Sequence, residues 1–134
     1  MKTSRPSDLE LQVLAVLWES GPMTVRTLLD AMPDGKRRAY TTMLSVLQVM
    51  EKKGLATHDR MGLAYVYRPA VDRPRVVGAL LRQLLRNVFG GSPAKAVQSL
   101  LSASDLDSDE LAKVRKLIAG VQPGRSSEKG GERE

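Results

Sequence analysis

Thr41, Leu44, Ser45, Gln48 and Lys52 fall at i, i+3, i+4, i+7 and i+11 within the stretch Lys36 to Gly54, KRRAYTTMLSVLQVMEKKG, so on a helix they form one stripe. The stripe is mostly uncharged and rich in hydroxyl and amide groups, where an ordinary solvated helix face carries more Glu and Lys. Thr, Ser and Gln can hydrogen-bond base edges in the major groove of DNA, and Leu or a Thr methyl can touch a thymine methyl. A plain polar surface face is the competing reading, so the surroundings of the stripe have to decide. Lys36, Arg37 and Arg38 stand just before it. Three consecutive cations are either a solvated loop or, at the entrance of a reading helix, groups that reach phosphates, Arg38 among them. Met43, Val46, Leu47 and Met50, at i, i+3, i+4 and i+7, give the other side of the same helix to a core.

Other chemistries lack their residues. The 134-residue chain has no cysteine, which excludes disulfides, iron–sulfur clusters and thiolate metal sites. His58 is the single histidine, so no metal site can be built from side-chain nitrogens. Neither a Walker loop nor a GxGxxG motif is present, and the carboxylates sit at caps or on helix surfaces rather than paired in apolar settings. We therefore expect no enzyme, no catalytic residues, no cofactor and no metal. The net charge of +6 and a pI of about 9.9 favour polyanionic partners. The excess is not global: residues 1–70 hold 10 Lys+Arg against 7 Asp+Glu, and residues 71–134 hold 11 against 8. It is concentrated between Lys36 and Arg68, where seven basic residues face only Glu51 and Asp59. The polar N-terminus MKTSRPSD has no apolar signal region, and no run approaches the roughly 18 apolar residues of a membrane span, so we expect a soluble, cytoplasmic protein.

The elements that would position the stripe follow from caps and periodicity. Ser7 with Glu10 is a capping box that should open a helix running to about Ser20. Leu9, Val13, Val16 and Leu17 form its buried face, Leu14 and Trp18 widen it, and Gly21-Pro22 stops it. Trp18 reads as core. Thr24 caps a second, short helix with Val25, Leu28, Leu29 and Met32 on one side, ended by Pro33-Asp34-Gly35. Two helices and a turn leading to a third with a polar outer face make a helix-turn-helix whose third helix reads. After Gly54 the period becomes alternating: Leu55 to Arg60, a turn at Met61-Gly62, then Leu63 to Arg68. A hairpin there makes the unit a winged helix, with Arg60 and Arg68 beside the DNA backbone, Tyr65 and Tyr67 packed on the reading helix, and His58 on the strand surface.

The second half is helical and more apolar than a surface needs. Val77, Leu80, Leu81, Leu84, Leu85 and Val88 make a wide stripe from Arg73 to Phe89, and Gly90-Gly91 ends that helix. Ser92-Pro93 starts another with Val97, Leu100 and Leu101, and Asp107 with Glu110 caps a third with Leu111, Val114, Leu117 and Ile118. A small domain cannot bury all of this internally. The natural reading is a dimerisation unit, with its seam among Leu80, Leu81, Leu84, Val97, Leu101, Leu111, Leu117 and Ile118; a helical lid over the chain's own wing domain is the alternative. The expected organisation is mainly α: a winged helix-turn-helix over residues 1–71, a helical dimerisation unit over 72–121, and a disordered tail over 122–134 with almost no apolar residue.

The order Asp8-Leu9-Glu10, Val16-Leu17-Trp18, Thr24-Val25-Arg26, Ala39-Tyr40-Thr41-Thr42, Val46-Leu47, Lys53-Gly54-Leu55 and Tyr65-Val66-Tyr67-Arg68-Pro69 resembles the penicillinase repressor (BlaI/MecI) family, closely over residues 7–70 and more loosely to Gly120. The resemblance implies a homodimeric winged-helix repressor on double-stranded, palindromic operator DNA, often of β-lactamase or related genes. It also implies that Thr41, Thr42, Ser45 and Gln48 face DNA, and that a membrane sensor-protease partner removes the repressor. Family cutting aligns near Ser99-Leu100, where the usual Asn-Phe pair is absent; Thr57, Leu63 and Val66 stand where members often carry charge. Two other functions fit a winged helix: a ligand-sensing regulator and a protein-interaction module. DNA binding that weakens with salt would set aside the second, and a small molecule that raises the melting temperature and releases DNA would favour the first.

Overall fold

The computed structural model describes residues 5–123. Helix α1 (Asp8–Ser20), a two-residue strand β1 (Met23–Thr24), α2 (Val25–Ala31) and α3 (Tyr40–Lys52) are followed by strands β2 (Ala56–Met61) and β3 (Ala64–Pro69). Three helices complete the chain: α4 (Arg73–Val88), α5 (Pro93–Ala103) and α6 (Ser108–Ala119). The architecture is mainly α, a helix-turn-helix with a β-hairpin wing followed by a C-terminal helical part. The chain divides into two compact units after Gln83, within α4. The tail expected from residue 122 lies, from residue 124 on, outside the described residues.

Caps set the helix starts. The Ser7 hydroxyl accepts from the Glu10 N–H at 3.1 Å and the Glu10 carboxylate accepts from the Ser7 N–H at 2.9 Å, the reciprocal bonds of a capping box. Thr24, Ser92 and Asp107 each accept one backbone N–H at the heads of α2, α5 and α6. Gly90 and Gly91 end α4 with φ of 58° and 81°, a left-handed pair that a side chain would strain.

The core of the first unit is one cluster: Val13, Leu14 and Leu17 of α1, Val25, Leu28 and Met32 from the α2 region, Met43, Leu47 and Met50 of α3, and Leu55, Ala56 and Tyr67 from the wing. Burial of a leucine or methionine contributes about 1.5 to 3 kcal/mol, so this cluster fixes how α3 lies on α1 and α2. Leu14 sits at its centre rather than at the edge of the α1 stripe, while Leu9, Val16 and Trp18 are only partly buried. Val46 and Leu44 are likewise half-buried flanks of α3.

Strand β1 has no counterpart in the periodicity reading. It pairs antiparallel with β3 (Met23 opposite Tyr67, Thr24 opposite Val66), giving a sheet of order β1-β3-β2 that ties the helix-turn-helix to the wing. The hairpin turn is Gly62-Leu63, one residue later than Met61-Gly62, because Met61 still pairs with Ala64. Gly62 adopts φ 63°, and a two-residue hairpin loop takes glycine at its first position for that reason. Trp18 anchors the exit of the wing: its Nε1 donates to the Val71 carbonyl at 2.9 Å and the Arg73 guanidinium lies over its ring at 5.7 Å.

Candidate DNA-reading face

The face of α3 opposite Met43, Leu47 and Met50 is open to solvent. Thr41, Thr42, Ser45, Gln48 and Lys52 are all exposed there, while Leu44, placed on the same stripe by its spacing, turns partly into the core. Two residues escaped the periodicity reading. Val49 is 46% exposed and stands one turn beyond Ser45, which makes the open face two columns wide. Tyr40, at the head of α3, is 43% exposed and has the Arg26 guanidinium of α2 over its ring at 5.6 Å. The signal for Val49 was its i+7 spacing from Thr42; the Arg26 contact had none, because the two residues belong to different elements.

The cations at the entrance are not equivalent. Arg38 forks onto Asp34 with both guanidinium nitrogens, at 2.7 and 3.1 Å, and its side chain is 14% exposed. The hydrogen bonds from Arg38, joined by the Lys36 N–H, hold the Asp34 carboxyl down at about 2. Arg38 thus braces the loop into α3, and Lys36 and Arg37 are the exposed cations of the trio. In the wing the roles also split. Arg68 donates to Asp59 at 2.9 Å, whereas Arg60 is exposed, lies 5.9 Å over the Tyr65 ring and donates to the Gly62 carbonyl at 3.3 Å. The Arg68 bond also keeps the Asp59 carboxyl below its usual range.

Two polar links fix α3. At its end, the Lys53 ammonium reaches the buried Glu10 carboxylate at 2.7 Å. On its flank, Glu51 meets His58 Nδ1 at 2.8 Å, so His58 is a half-buried strut between α3 and β2 rather than a strand-surface residue. Its ring also lies 4.7 Å from Tyr65 and 5.0 Å from Tyr67. Of the two tyrosines, Tyr67 is buried in the core and Tyr65 stays 45% exposed.

None of the residues of α4, α5 or α6 is buried. Of the residues expected along a seam, Leu81, Leu84, Val97, Leu101, Leu117 and Ile118 are exposed, and Leu80 and Leu111 are half-buried. Val88, Leu100 and Val121, outside the expected seam, are also exposed, at 62% to 66%. Ser99 and Leu100 lie on the exposed surface of α5. Among the described residues no group of three His, Cys, Asp or Glu could hold a metal, and no helix is long and apolar enough to cross a membrane.

A polar, open third helix, an exposed cationic entrance and a braced hairpin define a winged-helix DNA-binding unit. The family described as penicillinase repressor matches residues 6–120, and the chain belongs to it. Relatives include two proteins named transcriptional regulator BlaI from Mycobacterium tuberculosis, strains CDC 1551 / Oshkosh and ATCC 25618 / H37Rv. Each is 30% identical over 128 residues, covering 94% of this chain and 91% of its own. A protein named penicillinase repressor from Bacillus licheniformis is 21% identical over 117 residues, covering 87% of this chain and 91% of its own. The chain is a DNA-binding transcriptional regulator of this family.

Proposed function

We propose that the chain represses transcription as a homodimer on a palindromic operator. The α3 helix of each copy lies in a major groove, with Thr41, Thr42, Ser45, Gln48 and Lys52 toward the bases and backbone, and Arg60 of the wing beside the flanking phosphates. One observation carries the dimer: α4, α5 and α6 bury no residue within the chain while exposing leucines, valines and an isoleucine. Apolar surface of that kind is removed from water by a partner, and a second copy related by a two-fold axis matches the symmetry of a palindrome. The relative named penicillinase repressor supports genes of the β-lactamase type as targets, and family kinship supports release by a partner sensor-protease in the cytoplasm.

The dimer supplies affinity without new contacts. One winged helix makes a few base and phosphate contacts and binds weakly at physiological salt. Once the first copy has docked, the second meets its half-site at the effective concentration set by the tether, which raises affinity by about 10² to 10⁴. Leu84→Glu puts a charge on an exposed leucine of α4 without touching the core. The variant should be monomeric by light scattering, melt as wild type does in its first unit, and bind operator selected from random DNA at least about a hundredfold more weakly. A monomeric variant that binds as tightly as the intact protein would overturn the proposal.

A further inference from the structure

The tip of the wing is apolar. Leu63 is 99% exposed and Met61 63%, at the end of a hairpin whose Gly62-Leu63 turn presents them outward. Neither belongs to the core or to the side chains packed against it, and two side chains are far too little for a protein interface, which needs about 800 Å² on each partner. Charge at the tip is one-sided. Asp59, the acid of this hairpin, is taken up by Arg68 at 2.9 Å, while exposed Arg60 has no ion pair among the described residues and curls back to the Gly62 carbonyl. The ribbon is stiffly mounted, through buried Tyr67 and the Glu51–His58 link at 2.8 Å, on the helix that carries the reading face.

We infer that the wing tip is a wedge for the DNA minor groove: Leu63, flanked by Met61, enters between two stacked base pairs beside the half-site read by α3 and partly unstacks them. The inference rests on the reading of α3 given above. Leucine and methionine are among the side chains that act as such wedges, and the unstacking is repaid by apolar contact with the base faces. Arg60, within three residues of Leu63, meets the negative potential of the groove and its phosphates. The wedge favours flexible pyrimidine–purine steps, TA or CA/TG, which open most readily, so it adds sequence preference outside the bases that α3 touches.

The test uses the full-length protein and a selected operator duplex carrying 2-aminopurine, whose fluorescence rises on unstacking, at successive positions flanking each half-site. Wild type should raise the signal at one step per half-site. Leu63→Ala should abolish the rise and weaken binding only by roughly tenfold, because apolar burial and unstacking largely offset, and Leu63→Phe should restore the rise. Absence of a rise with wild type, or an unchanged rise with Leu63→Ala, overturns the wedge. Loss of self-association in Leu63→Ala without a change in fluorescence overturns it in favour of a protein contact. Gln48→Ala, run in parallel, separates the two levels: if it shifts base preference while no position unstacks, the α3 reading stands and the wedge falls. If it leaves base preference unchanged, the α3 reading fails.

Discussion

Replacing Glu10 by alanine should loosen α3 from the body of the domain, at a calculable cost. Glu10 is 5% exposed, accepts the Ser7 N–H at 2.9 Å and receives the Lys53 ammonium at 2.7 Å, so one carboxylate both caps α1 and holds the end of α3. Burial works to raise its pKa, but the bond from Lys53 and those from Ser7 outweigh it and keep the group below its usual range. Glu10→Ala removes half of a capping box, about 1 kcal/mol, and a charge-assisted hydrogen bond, about 1.5 to 3 kcal/mol, so about 2.5 to 4 kcal/mol should be lost. The Lys53 side chain is 26% exposed and regains water, which limits the loss. Lys53→Met is the harsher change, because it leaves a buried carboxylate without its cation; about 3 kcal/mol or more is expected. The double variant should cost less than the two singles combined, by about 1 to 3 kcal/mol. Urea unfolding at neutral pH measures all three. The sign with pH follows from the depressed pKa: the contribution of Glu10 is complete above its ordinary value of 4.5 and is lost as pH falls through its lower folded value. The Lys53→Met deficit should therefore shrink on acidification. A Glu10→Ala protein within about 0.5 kcal/mol of wild type, the range of ordinary surface substitutions, would refute the assignment of this pair as the tie between α1 and α3.

Gln48→Ala should relax preference at one base-pair position per half-site, costing about 1 to 3 kcal/mol, while Arg37→Ala should weaken all sequences alike and flatten the salt slope by about one unit; titrations over base variants and salt distinguish them. The Asp34 carboxyl should titrate at about 2 by NMR in the intact protein and rise toward 3.8 in Arg38→Ala. Its contribution to the loop before α3 is present above the ordinary value and disappears as pH falls through about 2. A protease recognition sequence placed in the linker Ser104 to Asp107, between α5 and α6, should convert the dimer to monomers on a single cut, and an intact dimer by light scattering after complete cleavage would contradict the seam.

Local rules carried the helices and longer-range pairing carried what they missed. Ser7, Thr24, Ser92 and Asp107 announce their helices because a cap and its partner N–H lie within three residues. The open face of α3 was legible for the same reason, since a 3.6-residue period is a local property. Strand β1 was not, because two residues carry no period and its partner Tyr67 lies 44 positions from Met23. The Glu10–Lys53 tie joins residues 43 apart, and no pattern within either helix points to the other. The Arg38–Asp34 fork lies in a non-helical loop, where a spacing of four residues does not by itself bring two side chains together, so no local period announces it. In the C-terminal half the surplus of leucine is visible in the sequence, and the structure buries none of the residues of α4, α5 or α6 fully.

The most direct test of the account is the sequence that the intact protein enriches from a pool of random double-stranded DNA. A dimer reading through α3 predicts an inverted repeat whose half-sites lie about one helical turn, or a multiple of it, apart, and predicts that Gln48→Ala degrades the same position symmetrically in both halves. Enrichment of a site without two-fold symmetry, or an inverted repeat that Gln48→Ala, Thr41→Ala and Ser45→Ala all leave unchanged, would contradict it.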